Sequence, residues 1–308
     1  MGRRSTSDAV EAEASFTVSS SPMERTFSLA QIEPTLGDVA TNLARHVQVI
    51  EAEIAAGSDV VLFPELSLTG YFLKDQVPDV GRPRDGEELE TIRHLSARIS
   101  IGVGFCELGR EGQFYNSYAF FEDGELLHVH RKVHLVTYGM FEESRDFAEG
   151  SSFRAFDSRH GRFGVLICED AWHTSSAYLY FLADVDMLLV PSAGPGRGVD
   201  AHHGGQLAST RTWETLTTAM ALHHQTWVLY VNRVGFEDGI LFGGGSRVVD
   251  PFGVESAALA GFEPGVLRAG TSSELLHRAR VVTPLRRDAK PWLLERELER
   301  IEREAENR

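Results

Sequence analysis

Three strand-like segments of the chain each end in a chemically reactive side chain, and this pattern constrains the fold more than any other feature. A short apolar or alternating run leads directly to Glu65, a second to Lys132 and a third to Cys168. Runs of this kind are typical of buried strands. Because open α/β sheets place their ligands at the carboxyl ends of the strands, the three side chains are expected to share one edge of the fold.

Helical periodicity alternates with short apolar runs along most of the chain. A strand over 26–33, a helix over 38–57 and a strand over 59–65 form a β-α-β unit, which predicts parallel strands joined by a right-handed crossover. Helices and strands alternate in a similar way in the second half, from a helix over 175–183 to a strand over 227–232. The alternation predicts one α/β domain with two sheets and helices outside.

Other segments complete the prediction. Asp-Gly between two apolar runs, and Arg-His-Gly between two more, indicate hairpins. Further expected elements are a helix over 87–100, a strand over 101–107, hairpins over 114–132 and 153–168, a strand over 185–190, a helix over 207–224 and hairpin-like strands around 250–253. Residues 1–24 predict a disordered tail, and residues 25–285 the folded domain. Residues 286–308 predict a charged helix whose one apolar side covers the core, with an oligomer contact as the alternative.

Composition limits the classes of partner. The 308 residues are 42% hydrophobic and 24% charged, which is typical of a soluble globular protein. A formal charge of -15, from 30 basic and 45 acidic residues, disfavours binding to nucleic acids and anionic membranes. Two cysteines, Cys106 and Cys168, provide no disulfide framework and favour a reducing, cytoplasmic location.

The three strand-end residues permit nucleophilic chemistry. A thiol attacks a carbonyl as the thiolate, so Cys168 requires a base or a nearby cation. Glu65, desolvated after an apolar strand, is a candidate base, and Lys132 would favour the thiolate and stabilise an oxyanion. Each residue also has a purely structural interpretation: a buried core cysteine, a salt-bridged glutamate and a lysine at a strand end.

Two other classes of function stay open at this point. His128, His130 and His134 lie close together in the sequence, and His202-His203 and His223-His224 are adjacent pairs. A His-x-His strand can bind zinc, so a metal-dependent hydrolase is one alternative. A non-catalytic binding module is the other.

Three sequence blocks carry a family resemblance. Residues 63–71 (FPELSLTGY), 131–135 (RKVHL) and 166–170 (LICED) resemble, in order and spacing, the signature blocks of the nitrilase superfamily of carbon-nitrogen hydrolases. The resemblance implies an α-β-β-α sandwich, single-domain, that pairs into a four-layer-forming homodimer or a higher homo-oligomer. It also implies a Glu65, Lys132 and Cys168 catalytic triad that requires no metal or organic cofactor.

The resemblance extends to further site residues. The segment after Lys132 resembles the family segment in which a second glutamate positions the lysine and the attacking water. We assign this role to Glu143, with Glu142 as the competing choice. By the same resemblance, the candidate substrate-binding residues are Tyr138, Phe141, Glu169, Trp172 and Ser192.

The residues after the cysteine indicate a branch of the superfamily. Glu169-Asp170 followed by Trp172 is similar to the glutaminase domain of glutamine-dependent NAD synthetase, which favours hydrolysis of a small primary amide. N-carbamoyl amidohydrolase and nitrilase activities are alternatives within the superfamily. The sequence holds no Ser-Gly-Gly-x-Asp-Ser loop, so we expect no synthetase site to accept the ammonia within these residues.

Overall fold

Two six-stranded sheets form the centre of the molecule. The computed structural model describes residues 24–200 and 206–307, so the tail predicted over 1–24 lies outside the described residues except for Glu24. The strands are β1 Glu24–Gln31, β2 Val60–Leu62, β3 Ser100–Leu108, β4 Phe114–Glu122, β5 Glu125–Arg131, β6 Phe156–Ser158, β7 Gly161–Val165, β8 Met187–Ser192, β9 Val199–Asp200, β10 Gln206–Leu207, β11 Trp227–Asn232, β12 Val234–Glu237, β13 Ile240–Gly243, β14 Arg247–Val249, β15 Glu255–Ala258 and β16 Gly265–Ser272.

The helices lie mainly on the outer faces of these sheets. They are α1 Val39–Ala56, α2 Val77–Val80, α3 Glu87–Leu95, α4 Glu143–Asp146, α5 Thr174–Leu182, α6 Ala208–His224, α7 Ser273–Val282, α8 Leu285–Asp288 and α9 Pro291–Glu306, with 3-10 turns at Lys74–Gln76 and Cys168–Trp172.

The two sheets share one plan. The first has the order β16-β1-β2-β3-β4-β5 and the second β15-β14-β11-β8-β7-β6. In the first sheet β1, β2 and β3 are parallel, and in the second β7, β8 and β11 are parallel. Antiparallel strands flank each parallel centre. The parallel strands bring their carboxyl ends to one edge, as the β-α-β pattern predicts.

Three apolar layers hold the sandwich together. The central layer, between the sheets, contains Phe27, Phe120, Phe163, Leu189 and Leu229. A second layer joins the first sheet to α1 and α3, and a third joins the second sheet to α5 and α6. The predicted α-β-β-α sandwich is therefore confirmed, with a core that is close-packed on both faces of both sheets.

Helix α1 begins and ends where its sequence predicts. The Asp38 carboxylate accepts a hydrogen bond from the N–H of Thr41 at 3.0 Å and caps the amino end. Gly57 ends the helix with φ of 77°, a left-handed conformation that glycine adopts without a steric penalty. The predicted hairpin between β4 and β5 also forms, because Asp123 and Gly124 both have positive φ, the requirement of a type I′ turn.

Two strands end earlier than the sequence predicts. Strand β2 stops at Leu62 and β7 at Val165, although the apolar runs continue to the reactive residues. The backbone turns sharply after each strand, with φ of 48° at Leu66 and 46° at Cys168. The apolar residues beyond the strand ends are thus buried in turns, which periodicity alone does not distinguish from strands.

The carboxyl-terminal third contains further differences. Strand β16, antiparallel to β1, and helix α7 were not predicted. Helix α9 was expected to cover the core, but none of its side chains is buried against the described part of the chain, and Leu294, Leu298 and Ile301 are 40%, 50% and 53% exposed. An amphipathic pattern establishes that a face is apolar, and it does not establish what the face contacts. Within the described ranges, no helix is both long and apolar enough to cross a membrane.

A buried histidine couples α1 to the loop that carries Glu65. His46 Nδ1 lies 2.7 Å from the carbonyl oxygen of Asn42, and its Nε2 lies 2.9 Å from the Ser67 hydroxyl. Burial lowers the pKa of His46 from 6.5 to about 4. Because the folded state then binds fewer protons than the unfolded state, the contribution of His46 to stability is complete above pH 6.5 and is lost as the pH falls toward 4.

We expect the shifted pKa of His46 to lower the free energy of unfolding by about 2 kcal/mol as the pH falls from 7 to 5. The variant His46→Gln should be less stable at pH 7 but lose less stability over that interval, as measured by urea unfolding at both pH values. The control variant is His277→Gln, which removes an exposed histidine. Equal pH dependence in His46→Gln and wild type would contradict the assignment.

Candidate active site

Glu65 lies on a tight turn that follows β2 and crosses β3. The turn passes so close to Gly104 that a Cβ at that position would lie 2.4 Å from the carbonyl oxygen of Pro64. Glycine at 104 is therefore a packing requirement. The Leu68 N–H donates to the Gly104 carbonyl at 3.1 Å, which fixes the turn on the sheet.

The Glu65 carboxylate is buried and fully engaged. Its Oε1 accepts hydrogen bonds from Lys132 Nζ and Asn116 Nδ2, each at 2.7 Å, and its Oε2 accepts from the backbone N–H of Ala193 at 2.7 Å. Burial raises the pKa of Glu65 above its ordinary value; the Lys132 charge opposes this rise and the Glu143 charge adds to it. Glu65 is thus a carboxylate that holds a transferred proton more readily than an exposed glutamate.

Lys132 joins two carboxylates and is itself closed to solvent. The residue follows β5 directly, is 0% exposed, and places its Nζ 2.7 Å from both Glu65 Oε1 and Glu143 Oε1. Burial alone would lower the pKa of Lys132, but the charges of Glu143 and Glu65 outweigh it and hold the pKa well above the ordinary value. The lysine is therefore a permanent ammonium in this structure.

The two candidate second glutamates differ in burial and in contacts. Glu143 is buried in the first turn of α4 and contacts Lys132, whereas Glu142 is exposed. Glu143 Oε1 also accepts a hydrogen bond from the Tyr71 hydroxyl at 2.5 Å, and its Oε2 accepts one from the Val136 N–H at 2.9 Å. Glu143 thus fixes the position of the Lys132 ammonium.

Cys168 lies at the start of the 3-10 turn that follows β7. Its φ of 46° is unusual for a residue with a Cβ and stores strain of about 1–3 kcal/mol. Burial raises the pKa of the thiol well above its ordinary value, with the Glu65 charge adding to the rise and the Lys132 charge opposing it. The Ala193 N–H, which donates to Glu65, also favours the thiolate of Cys168, so the sulfur and the Glu65 carboxylate share one backbone donor.

The expectation that Lys132 favours the thiolate is therefore correct in direction but is outweighed by other effects. One ammonium faces two carboxylates, so a third negative charge on Cys168 is disfavoured in this desolvated site. The structure consequently keeps the thiol neutral at rest.

Sequence reasoning missed three groups that hold the site. Asn116 donates to Glu65, Tyr71 donates to Glu143, and the N–H of Ala193 donates to Glu65. Tyr71 lies within the first signature block, and a tyrosine in such an apolar segment indicates a hydroxyl that needs a hydrogen-bond partner. Asn116 lies in mid-strand and Ala193 acts through its backbone, so neither carries a signal in the sequence.

The candidate substrate-binding residues comprise a polar group and an aromatic group. Tyr138 is exposed, and its hydroxyl donates to both carboxylate oxygens of Glu169 at 3.1 and 3.0 Å. The Ser192 hydroxyl is buried at the end of β8 and has no hydrogen-bond partner among the described residues. Phe141 packs on the Tyr71 ring at 5.9 Å and Trp172 on the Trp213 ring at 5.9 Å, so these two contact other aromatic side chains.

The histidine clusters do not form a metal site in the part of the chain that the structure describes. No group of three or more His, Cys, Asp or Glu side chains within residues 24–200 and 206–307 has an arrangement that could hold a metal ion. His130 instead pairs with Asp170, and His128 stacks on Phe156. His202 and His203 lie outside the described residues.

Known proteins with similar sequences include enzymes of one superfamily. The glutamine-dependent NAD(+) synthetase of Thermotoga maritima is 30% identical over 263 residues, which cover 84% of this chain and 44% of the synthetase. The omega-amidase NIT2-B of Xenopus laevis is 31% identical over 255 residues, which cover 80% of this chain and 88% of the amidase. The chain thus spans less than half the length of the synthetase and most of the amidase.

Solved structures show the same architecture. Saccharomyces cerevisiae Nit3, a member of branch 10 of the nitrilase superfamily, is 25% identical with a TM-score of 0.72 over 85% of this chain and 95% of Nit3. The carbon-nitrogen hydrolase family model matches residues 26–280, which include Glu65, Lys132 and Cys168. This chain therefore belongs to the carbon-nitrogen hydrolase family of the nitrilase superfamily.

Proposed function

We propose that this carbon-nitrogen hydrolase cleaves a small primary amide through a thioester on Cys168 and releases ammonia. The observation that carries the proposal is the buried Lys132 ammonium, 2.7 Å from the carboxylates of both Glu65 and Glu143, beside a cysteine on a strained turn. A nucleophile, a base and a cation for the oxyanion are thereby available in one desolvated site.

In the first half of the reaction, the sulfur of Cys168 attacks the amide carbonyl as Glu65 takes the thiol proton. Lys132 Nζ and the N–H of Glu169 stabilise the oxyanion; the first N–H groups of a helical turn have no partner within the turn. The tetrahedral intermediate collapses, the carbon-nitrogen bond breaks, and ammonia leaves with the proton from Glu65. The product on the enzyme is a thioester.

In the second half, Glu65 removes a proton from water as the water oxygen attacks the thioester carbonyl. The second tetrahedral intermediate expels the sulfur, which recovers its proton from Glu65. The carboxylic acid leaves and the neutral thiol is restored, so the cycle needs no further reactant. Throughout, Glu143 keeps the ammonium of Lys132 in place.

The raised pKa of the Cys168 thiol supports concerted proton transfer. A free thiolate would add a third negative charge beside Glu65 and Glu143, whereas transfer to Glu65 during attack leaves the net charge of the site unchanged. The raised pKa of Glu65 supports the same role, because the carboxyl group must hold the proton until the leaving amine accepts it.

The relatives support an amide as substrate. The Xenopus laevis protein is named an omega-amidase and the Thermotoga maritima protein a glutamine-dependent synthetase. We assign substrate contacts to the Ser192 hydroxyl and to the Tyr138–Glu169 pair, and place Phe141 and Trp172 in the surrounding wall. N-carbamoyl compounds and nitriles are the alternative substrates. The homo-oligomer and the cytoplasmic location stay predictions.

The primary test measures ammonia release from primary amides, glutamine, N-carbamoyl compounds and nitriles. We expect primary amides to be hydrolysed, and Cys168→Ala to reduce the rate by at least about 1,000-fold, because the nucleophile is removed. Cys106 is the matched control, since it is buried in β3 with a pKa raised by burial to about 12. Cys106→Ser should therefore keep most of the activity.

The same assay separates the other classes of function. Activity that survives EDTA and is lost with iodoacetamide supports the thiol mechanism, whereas the reverse indicates a metal-dependent hydrolase. Absence of ammonia from every substrate, together with no thioester in intact-mass spectra, would identify a binding module instead.

The pH dependence of kcat/KM provides a second test. Glu65 must be ionised to accept the thiol proton, and its pKa is raised above 4.5. Activity should therefore fall on the acid side with a midpoint above 4.5, and the plateau should extend past pH 9.0, since the pKa of Cys168 lies well above that value. Enzyme returned from acid to pH 7.5 should recover its activity. A reversible midpoint at or below 4.5 is incompatible with Glu65 as the base.

Removal of the Tyr71 hydroxyl tests whether Glu143 must be held in place by this hydrogen bond. Tyr71→Phe deletes a hydrogen bond to Glu143 at 2.5 Å and should lower kcat about 10- to 100-fold, the value of one hydrogen bond to a charged group. Tyr115→Phe is the control, because the Tyr115 ring stacks on Arg131 outside the site. Equal kcat for Tyr71→Phe and wild type would show that Glu143 needs no such support.

A further inference from the structure

We propose that Asp170 is a positioning residue that holds the Cys168 turn and the Lys132 segment, residues 130–134, in one fixed geometry. The inference rests on the proposed function, since it concerns the alignment of the same nucleophile and cation. Asp170 is 0% exposed and touches neither the sulfur nor the ammonium through any hydrogen bond in the described chain, so it acts through the backbone of its neighbours.

Both oxygens of the Asp170 carboxylate are used, and each reaches the Lys132 segment. Oδ1 accepts hydrogen bonds from the N–H groups of Val133 at 3.1 Å and His134 at 2.9 Å. Oδ2 accepts from the Ile167 N–H at 3.1 Å and lies 2.9 Å from His130 Nε2. A buried carboxylate with donors on both oxygens is fixed in orientation.

The donors lie immediately beside the two reactive residues. Val133 follows Lys132, and Ile167 precedes Cys168. One rigid carboxylate therefore links the backbone on the carboxyl side of the lysine to the backbone on the amino side of the nucleophile. The Asp170 N–H also donates to the Ile167 carbonyl at 3.0 Å, which closes the turn around the strained Cys168.

Through these hydrogen bonds, Asp170 controls the alignment of the Cys168 sulfur with the other reacting groups. The sulfur must lie within reach of both the Glu65 carboxylate and the carbonyl that Lys132 polarises, and a misplacement of about 1 Å costs on the order of 100-fold in rate. The strained turn at Cys168 has no intrinsic preference for its conformation, so its geometry must be imposed from outside. Asp170 imposes it with reference to the Lys132 segment.

The substitution Asp170→Asn tests the proposal with little change in volume. An amide has one accepting oxygen and one donating nitrogen, so either the pair of N–H donors on Oδ1 or the pair on Oδ2 loses its acceptor. We expect kcat to fall about 100-fold with KM changed less than about 3-fold, because alignment is lost and substrate contacts remain. Unchanged kcat in folded Asp170→Asn would overturn the proposal.

Alkylation of Cys168 by iodoacetamide, followed by peptide mass mapping, provides a readout that needs no amide substrate. In the wild type, the rate should follow the ionisation of Glu65 and stay level toward pH 9. In Asp170→Asn it should lose that acid limb and rise with pH as the thiol ionises without help from Glu65. An identical pH profile in both proteins would overturn the proposal, whereas a wild type that shows the acid limb but hydrolyses no amide would refute only the proposed substrate class.

Variants of His130 keep the proposal testable if Asp170→Asn does not fold. Glutamine places an N–H donor near the position of the histidine Nε2, so His130→Gln should keep kcat within about 3-fold, whereas His130→Leu, which removes the donor, should lose about 10-fold. His128 is the matched control on the same strand, because its Nε2 is buried without a hydrogen-bond partner among the described residues. His128→Leu should leave kcat unchanged. Equal loss in His130→Gln and His130→Leu would overturn the proposal.

Discussion

The ammonium of Lys132, enclosed by protein and paired with two carboxylates, is the interaction on which the rest of the site depends. An unpaired charge in such a place would be prohibitively unfavourable, so the lysine requires Glu65 and Glu143 on either side. Each carboxylate is in turn held by further donors, from Asn116 and Ala193 to Glu65 and from Tyr71 to Glu143. The placement of these donors around Glu65 and Glu143 follows from this requirement.

The two-sheet architecture makes the convergence possible. Strands β2 and β5 of one sheet deliver Glu65 and Lys132, while β7 of the other delivers Cys168, so the site lies where the ends of two stacked sheets meet. The apolar layer between the sheets sets their separation, and Gly104 allows the Glu65 turn to lie directly on β3. The proposed carbon-nitrogen bond chemistry would therefore take place at the rim of a close-packed core.

The sequence predicted the layers, and it indicated candidate reactive residues, because both depend on local patterns. Periodicity located α1, and Asp123-Gly124 located the hairpin of β4 and β5. Three blocks in fixed order indicated Glu65, Lys132 and Cys168 as candidate catalytic residues, and the structure brings the first two into contact. What could not be predicted depends on contacts between distant segments: the pairing of β16 with β1, the donor Asn116 in mid-strand, and the balance of charges that leaves the thiol neutral. No local pattern records which distant group a side chain meets.

A cysteine that keeps its proton at rest also differs from a resting thiolate in its reactivity toward oxidants. Peroxide attacks the thiolate, and the first product, sulfenic acid, proceeds under continued oxidation to irreversible acids. Because burial and the neighbouring carboxylates hold the pKa of Cys168 well above the ordinary value, the reactive anion is scarce at neutral pH until a carbonyl is in position to receive it. The charge arrangement that raises the pKa of Cys168 is therefore expected to slow oxidation of the sulfur when no substrate is bound.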